Sequence, residues 1–177
     1  MSNSDKTIGK ILFTEEDILK RAKEIGAQIN EDYKGEELIV IGTLRGAVIW
    51  MADLLKNIDL DTKIDFISAS SYGSDTVSSG VVTISKDVDL DIADKHVLII
   101  EDIVDSGFTL SRLMNSFKER KVKSVKVCTL LDKPSRRVIE LDLDYVGFQV
   151  EDLFIIGYGL DYDQKYRNLP YISYLEE

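Results

Sequence analysis

Cysteine is nearly absent from this chain: Cys128 is the only one in 177 residues. A disulfide within the chain, a CxxC metal site and a thiol redox pair are therefore excluded. The place of Cys128 in the apolar run 125–131 marks it as a buried structural thiol. No run comes near the roughly 18 apolar residues of a membrane span, so no membrane role is expected. Residues 1–10 are polar and lack the apolar centre of a signal peptide, so the expected compartment is the cytoplasm. Basic residues are the minority, 22 Lys and Arg against 32 Asp and Glu, for a net charge of −10. That balance repels nucleic acid, and no local basic patch offsets it. It does not argue against a phosphorylated substrate, provided Mg²⁺ travels with it. Internal repeats and linkers are missing too, leaving residues 1–177 as one domain large enough for a real core.

What is present is an alternation of strand and helix. Thr14-Glu15-Glu16-Asp17 reads as a capped helix start, with Ile18, Ala22, Ile25 and Ile29 forming its apolar face through to Tyr33. Strands are predicted at 38–41, 63–69, 81–85, 97–100 and 124–131, and helices at 47–57 and 110–120, with short strands and turns from Tyr145 onward. The alternation predicts an α/β fold with a twisted, mainly parallel sheet flanked by helices. Ligands in such sheets lie at the carboxyl ends of the strands, where each polar motif of this chain falls.

The most informative stretch is 97–110. Val97, Leu98, Ile99 and Ile100 are a continuous, largely β-branched run, the pattern of a strand buried on both faces. Glu101 and Asp102 sit where that strand is expected to end. Adjacent carboxylates resist burial unless a metal, a cation or sugar hydroxyls pair with them. Asp105-Ser106-Gly107-Phe108-Thr109 then forms a small polar turn before a helix whose apolar side is Leu113, Met114 and Phe117. Such a loop offers free backbone N–H groups and the positive end of a helix dipole to an anion. A phosphate in the loop beside a diol on the carboxylates describes a ribose phosphate. Either half of the pattern is common in α/β proteins; the two in series are specific.

In this order, Glu-Asp-x-x-Asp-Ser-Gly-x-Thr resembles the phosphoribosyl-diphosphate (PRPP) signature of type I phosphoribosyltransferases, in the form carried by their hypoxanthine–guanine branch. Three further segments extend the resemblance over nearly the whole chain. Gly42-Thr43-Leu44-Arg45-Gly46 reads by itself as an ordinary strand-to-helix turn. It is similar to the family's pyrophosphate loop, in which the commoner triplet is Leu-Lys-Gly and the peptide before the basic residue can be cis. Ser70-Ser71-Tyr72-Gly73 reads by itself as a flexible loop, and Ser71 and Tyr72 match the Ser-Tyr of the family's closing lid. Lys133 alone reads as a solvated charge and Phe154 alone as core. By resemblance, Lys133 contacts the purine O6, Phe154 stacks on the base and the backbone of Ile155 bonds the base edge. Asp161 then lies near the base and Mg²⁺, and Arg167 contacts pyrophosphate.

The resemblance implies a type I phosphoribosyltransferase fold, with a small hood formed by about 1–12 and 133–177. It implies transfer of the 5-phosphoribosyl group from PRPP to a 6-oxopurine, hypoxanthine or guanine, as a step of purine salvage. The ribose would rest on Glu101 and Asp102, the 5′-phosphate in the loop 105–109, and pyrophosphate against Leu44, Arg45, Gly46 and Arg167. Mg²⁺ would meet Glu101, Asp102 and Asp161, and Asp105 would serve as general base at the purine N7. No Ser-His-Asp or Cys-His nucleophile is needed, and His96, the only histidine, lies on the far side of the signature strand and reads as structural. A homodimer or homotetramer is expected. A PRPP-binding regulator and an enzyme for adenine, orotate, uracil or xanthine on the same scaffold are the alternatives. The acidic charge disfavours the regulator, and Lys133 favours an oxo group over the amino group of adenine.

Overall fold

The computed structural model describes residues 7–71 and 82–176, with Ser71 described by its backbone alone. Helix α1 (Glu15–Asp32) begins at the capping box seen in the sequence: the Asp17 amide donates to Thr14 Oγ1, and the Thr14 amide to the Asp17 carboxylate. Its buried face is Ile18, Ala22, Ile25 and Ile29, with Gly26 against Asn57 at the end of α2 (Val48–Leu55).

Six strands form one sheet: β1 (Leu38–Thr43), β2 (Thr62–Ser71), β3 (Val82–Lys86), β4 (His96–Val104), β5 (Ser124–Asp132) and β6 (Tyr145–Gln149). Their order is β3-β2-β1-β4-β5-β6, parallel throughout except for β3, which pairs antiparallel with β2 at one edge. Apolar clusters cover both faces. Leu38, Val40, Leu98, Ile100 and Cys128 meet α1 and α2 on one side, with Trp50 fully buried among them. Ile39, Ile41, Val97, Ile99 and Val127 meet α3 (Phe108–Glu119) on the other. This is why β1 and β4 read as unbroken apolar runs rather than alternating ones. Cys128 is buried as expected, and burial pushes its thiol up to about 12. No helix among the described residues is long and apolar enough to cross a membrane.

The sequence-based expectations need three corrections. The strand at 97–100 does not stop before the carboxylates: β4 continues to Val104 because its ladder with β5 runs on through Glu101–Thr129, Ile103–Leu131 and Val104–Asp132. The helix after it starts at Phe108, not Leu110, with Gly107 in the left-handed region (φ +89°) as its cap. Within about 133–177, the stretch expected to contribute to the hood, Tyr145–Gln149 instead joins the main sheet as edge strand β6, and Arg21 of α1 donates to its Val146 and Gly147 carbonyls. Beyond it, β7 (Phe154–Ile156) and β8 (Ser173–Leu175) form a separate two-stranded sheet. The segment 8–13 adds to it through a bridge of Ile8 to Leu175, and the Gly9 amide donates to the Tyr174 carbonyl.

One buried carboxylate holds the acidic stretch after β3 in place. Asp65 on β2 accepts from the amides of Asp89 (2.7 Å), Leu90 (2.9 Å) and Phe66 (2.7 Å), with Lys86 behind at 3.7 Å. Burial alone would raise its pKa, but the amide donors and Lys86 together hold it below the ordinary 3.8. A depressed folded pKa gives stability that is present above the ordinary value and lost as pH falls through the folded one. Asp65→Asn is therefore expected to lower the melting temperature at pH 7 and to shrink the fall in melting temperature between pH 7 and pH 3. A fall as large as in the parent protein would show that Asp65 carries none of the acid sensitivity.

Candidate active site

An open cleft of about 430 Å³ lies at the carboxyl ends of β1 and β4, between the loop 105–109 and residues 161 and 167. Its floor is Glu101 and Asp102. Thr43 Oγ1 lies 2.7 Å from Glu101 Oε2, and the Ile103 amide donates to Asp102 Oδ1 at 2.7 Å. Burial, and then the Asp102 charge beside it, push Glu101 well above the usual carboxylate range. Burial likewise raises Asp102, against the Ile103 amide and the nearby Arg167 guanidinium. Two carboxyls held this way favour any partner that supplies positive charge or hydroxyl donors.

The turn 44–46 forms one wall. The Leu44–Arg45 peptide is cis, and the Leu44 amide donates to Ile67 O of β2 at 2.8 Å. Gly46 packs directly on Asp102: a Cβ there would overlap the carboxylate. Arg45 is exposed, and its Nη1 donates to Gln164 Oε1 at 2.9 Å. Arg167 reaches the same oxygen at 3.1 Å and pairs with Asp161 at 2.7 Å, while its Nη1 donates to Gly159 O. Two guanidinium groups far apart in sequence thus meet on one amide oxygen.

The loop 105–109 forms the opposite wall, where the amides of the first turn of α3 have no partners within the helix. Asp105 Oδ1 is buried there without a hydrogen-bond partner. Phe108 is half-buried and is not among the lining residues, whereas Ser106, Gly107 and Thr109 are.

Lys133, Phe154 and Ile155 stand apart from this cleft's lining, yet close to one another. Lys133 is buried, not solvated, and its Nζ donates to Leu153 O at 2.9 Å. Phe154 is half exposed, not core, with its ring edge-on to Tyr162 at 5.4 Å. Ile155 is buried in β7, paired with Tyr174. Ser71 ends β2 and Tyr72 lies outside the described residues, so the lid expectation falls at their boundary. Among the described residues no three His, Cys, Asp or Glu side chains converge to hold a metal. Glu101, Asp102 and Asp161 are thus no protein-built cage. Such a donor set suits Mg²⁺ that keeps one or two carboxylates and takes its remaining oxygens from substrate and water. The sequence alone singles out neither Gln164 nor Arg137, and it does not show that Thr43 of the 42–46 loop meets Glu101, because no local pattern signals these contacts.

Comparison with known proteins shows the family. Residues 10–163 match the family model described as phosphoribosyl transferase domain. A hypoxanthine-guanine phosphoribosyltransferase of Bacillus subtilis is 52% identical over 169 residues, covering 96% of this chain and 94% of that protein. One from Streptococcus thermophilus is 51% identical, covering 98% and 96%. The crystal structure of a hypoxanthine phosphoribosyltransferase from Staphylococcus aureus superposes with a TM-score of 0.92 at 47% identity, covering 96% of this chain and 92% of that one. This chain belongs to the phosphoribosyltransferase family.

The Gly46–Asp102 contact makes a stability prediction. Gly46→Ala is expected to cost about 1–3 kcal/mol in urea unfolding, the usual range for overpacking. In an Asp102→Ala background, where the obstructing carboxylate is gone, the cost should shrink. Equal costs in both backgrounds would show that another contact excludes a side chain at Gly46.

Proposed function

We infer that this protein transfers the 5-phosphoribosyl group of PRPP to N9 of a 6-oxopurine, hypoxanthine or guanine, giving IMP or GMP and pyrophosphate. The observation that carries the reading is the single cleft in which the carboxyl pair Glu101–Asp102, the anion-binding loop and two convergent arginines face one another. Relatives about half identical over nearly the full chain bear the name of that activity.

In this reading the loop 105–109 takes the 5′-phosphate on backbone amides, and Glu101 and Asp102 accept the ribose hydroxyls. Arg45 and Arg167 exchange the Gln164 oxygen for pyrophosphate, so positive charge is already gathered where the leaving group develops negative charge. Leu44 and Gly46 bring the backbone of the turn close to the same group. Glu101 and Asp102, with Asp161 nearby, would hold Mg²⁺, which when bound would supply positive charge against the diphosphate. Lys133 donates to O6, Phe154 offers a ring face to the base, and the Ile155 backbone meets its edge. The unpartnered Asp105 Oδ1 is an acceptor for the N7 proton. Catalysis is then alignment plus stabilisation of the leaving group. By family resemblance, Ser71 and Tyr72 would help keep water from the reacting carbon; Tyr72 lies outside the described residues. The family resemblance further supports one catalytic domain working in the cytoplasm as a homodimer or homotetramer.

Turnover measured with PRPP and Mg²⁺ against hypoxanthine, guanine, xanthine and adenine tests the reading. Rapid use of hypoxanthine or guanine, abolished in Glu101→Ala/Asp102→Ala, is expected. No turnover with any base, alongside retained PRPP binding, would point to a regulator instead. Lys133→Met should lower kcat/KM for hypoxanthine by about tenfold to a hundredfold, the weight of a hydrogen bond from a charged donor. An unchanged value would remove Lys133 from the base site.

A further inference from the structure

The wall of the cleft formed by residues 104–107 is held from behind by 133–139. The Val104 carbonyl accepts from the Lys133 amide at 3.0 Å, and the Ser106 carbonyl from the amides of Val138 (3.0 Å) and Ile139 (3.1 Å). Between them, the Asp105 carbonyl accepts from a side chain, Arg137 Nε, at 3.0 Å. Arg137 Nη2 also lies 3.4 Å from Val104 O and forms an ion pair with Asp132, the last residue of β5. Three successive carbonyls are therefore drawn to the side away from the cleft, and Arg137, Val138 and Ile139 are not among the cleft's lining residues.

A trans peptide points its C=O and the following N–H in opposite directions. The only cis bond among the described residues is Leu44–Arg45. Drawing the carbonyls of Val104, Asp105 and Ser106 outward thus turns the amides of Asp105, Ser106 and Gly107 toward the cleft. Two of those three carbonyls have backbone donors that any sequence would supply; the middle one depends on Arg137. The backing is close, since a Cβ at Gly107 would come 2.9 Å from Leu141 Cδ1 and 3.3 Å from Arg137 Cδ.

The Arg137–Asp132 pair is largely removed from water, with side chains 16% and 9% exposed. A pair this secluded adds little net stability over apolar residues of the same volume. What it does supply is a rigid fork whose orientation is set from β5 and which reaches a loop carbonyl with its remaining donors. We propose that Arg137, anchored on Asp132, is a positioning residue that aims the backbone amides of the loop 105–107 at the 5′-phosphate of the substrate. The proposal rests on reading that loop as the phosphate site, and it adds a residue outside the cleft on which the site depends.

The test compares two ligands that differ only in the 5′-phosphate, IMP and inosine, titrated calorimetrically into the parent protein, Arg137→Gln and Thr109→Val. Arg137→Gln is expected to reduce the preference for IMP over inosine by about tenfold, with inosine affinity held within about twofold. A merely structural role would weaken both ligands alike and leave the ratio unmoved. An unmoved ratio in Arg137→Gln, with the ratio lowered in Thr109→Val, overturns the proposal and leaves the loop reading intact. A ratio unmoved in both variants overturns the loop reading with it. If Arg137→Gln does not fold, Arg137→Lys decides. Its single ammonium keeps the charge beside Asp132 without spanning to the Asp105 carbonyl, so the ratio should still fall; an unchanged ratio there counts against the proposal.

Discussion

The structure depends on a pair of carboxyl groups kept out of water at the end of its central strand. β4 lies between β1 and β5, and its apolar run is covered on both faces. Its ladder with β5 carries on past Ile100, and this takes Glu101 into the interior, where the Thr43 hydroxyl meets its carboxylate. The same extension places Asp102 so tightly against the next turn that position 46 has room for no side chain. Everything polar in the cleft is arranged around this unrelieved demand for a partner. The shape of the 44–46 turn, the start of α3 and the convergence of Arg45 and Arg167 all lie within reach of it.

Charge in the cleft is divided by position. Acid occupies the floor, free amides the loop wall and two guanidinium groups the opposite rim. A ligand that fits must be anionic at both ends and hydroxylated in the middle, which is the chemistry of PRPP. Gln164 keeps the arginines together with a neutral acceptor, so the rim is gathered while its charge stays uncompensated by that residue. A net charge of −10 on the whole chain is no obstacle to this local polarity, because the field at the cleft is set by the few groups that line it.

Much of this was legible before any coordinates. The helix at 15–32 could be read from Thr14, Asp17 and the spacing of Ile18, Ala22, Ile25 and Ile29, because capping and periodicity are properties of neighbours in sequence. The unbroken run 97–100 marks a strand buried on both faces, and most of its sequel 101–109 lines the cleft. The end of β4 was misjudged because a change from apolar to acidic residues looks like a strand end, while strand length is decided by the partner's ladder. Lys133 and Phe154 were assigned by resemblance against their individual odds. Lys133 is buried by its bond to the Leu153 carbonyl, and Phe154 is exposed because β7 turns it outward from a small separate sheet.

The sequence by itself determined the α/β alternation, the buried strand, the acidic pair, the hydroxyl-rich turn and the family these define. Each element and motif among them is a short run of neighbours in sequence, where backbone geometry and hydrophobic periodicity act directly. Only the tertiary structure decided that Arg45 meets Arg167 on Gln164, that Gly46 yields its space to Asp102, and that Arg137 and Asp132 brace the loop 105–107 from behind. Those contacts join residues whose separation along the chain carries no signal. They exist because parallel strands bring their carboxyl ends to one edge of the sheet, where loops distant in sequence must share the same few ångströms.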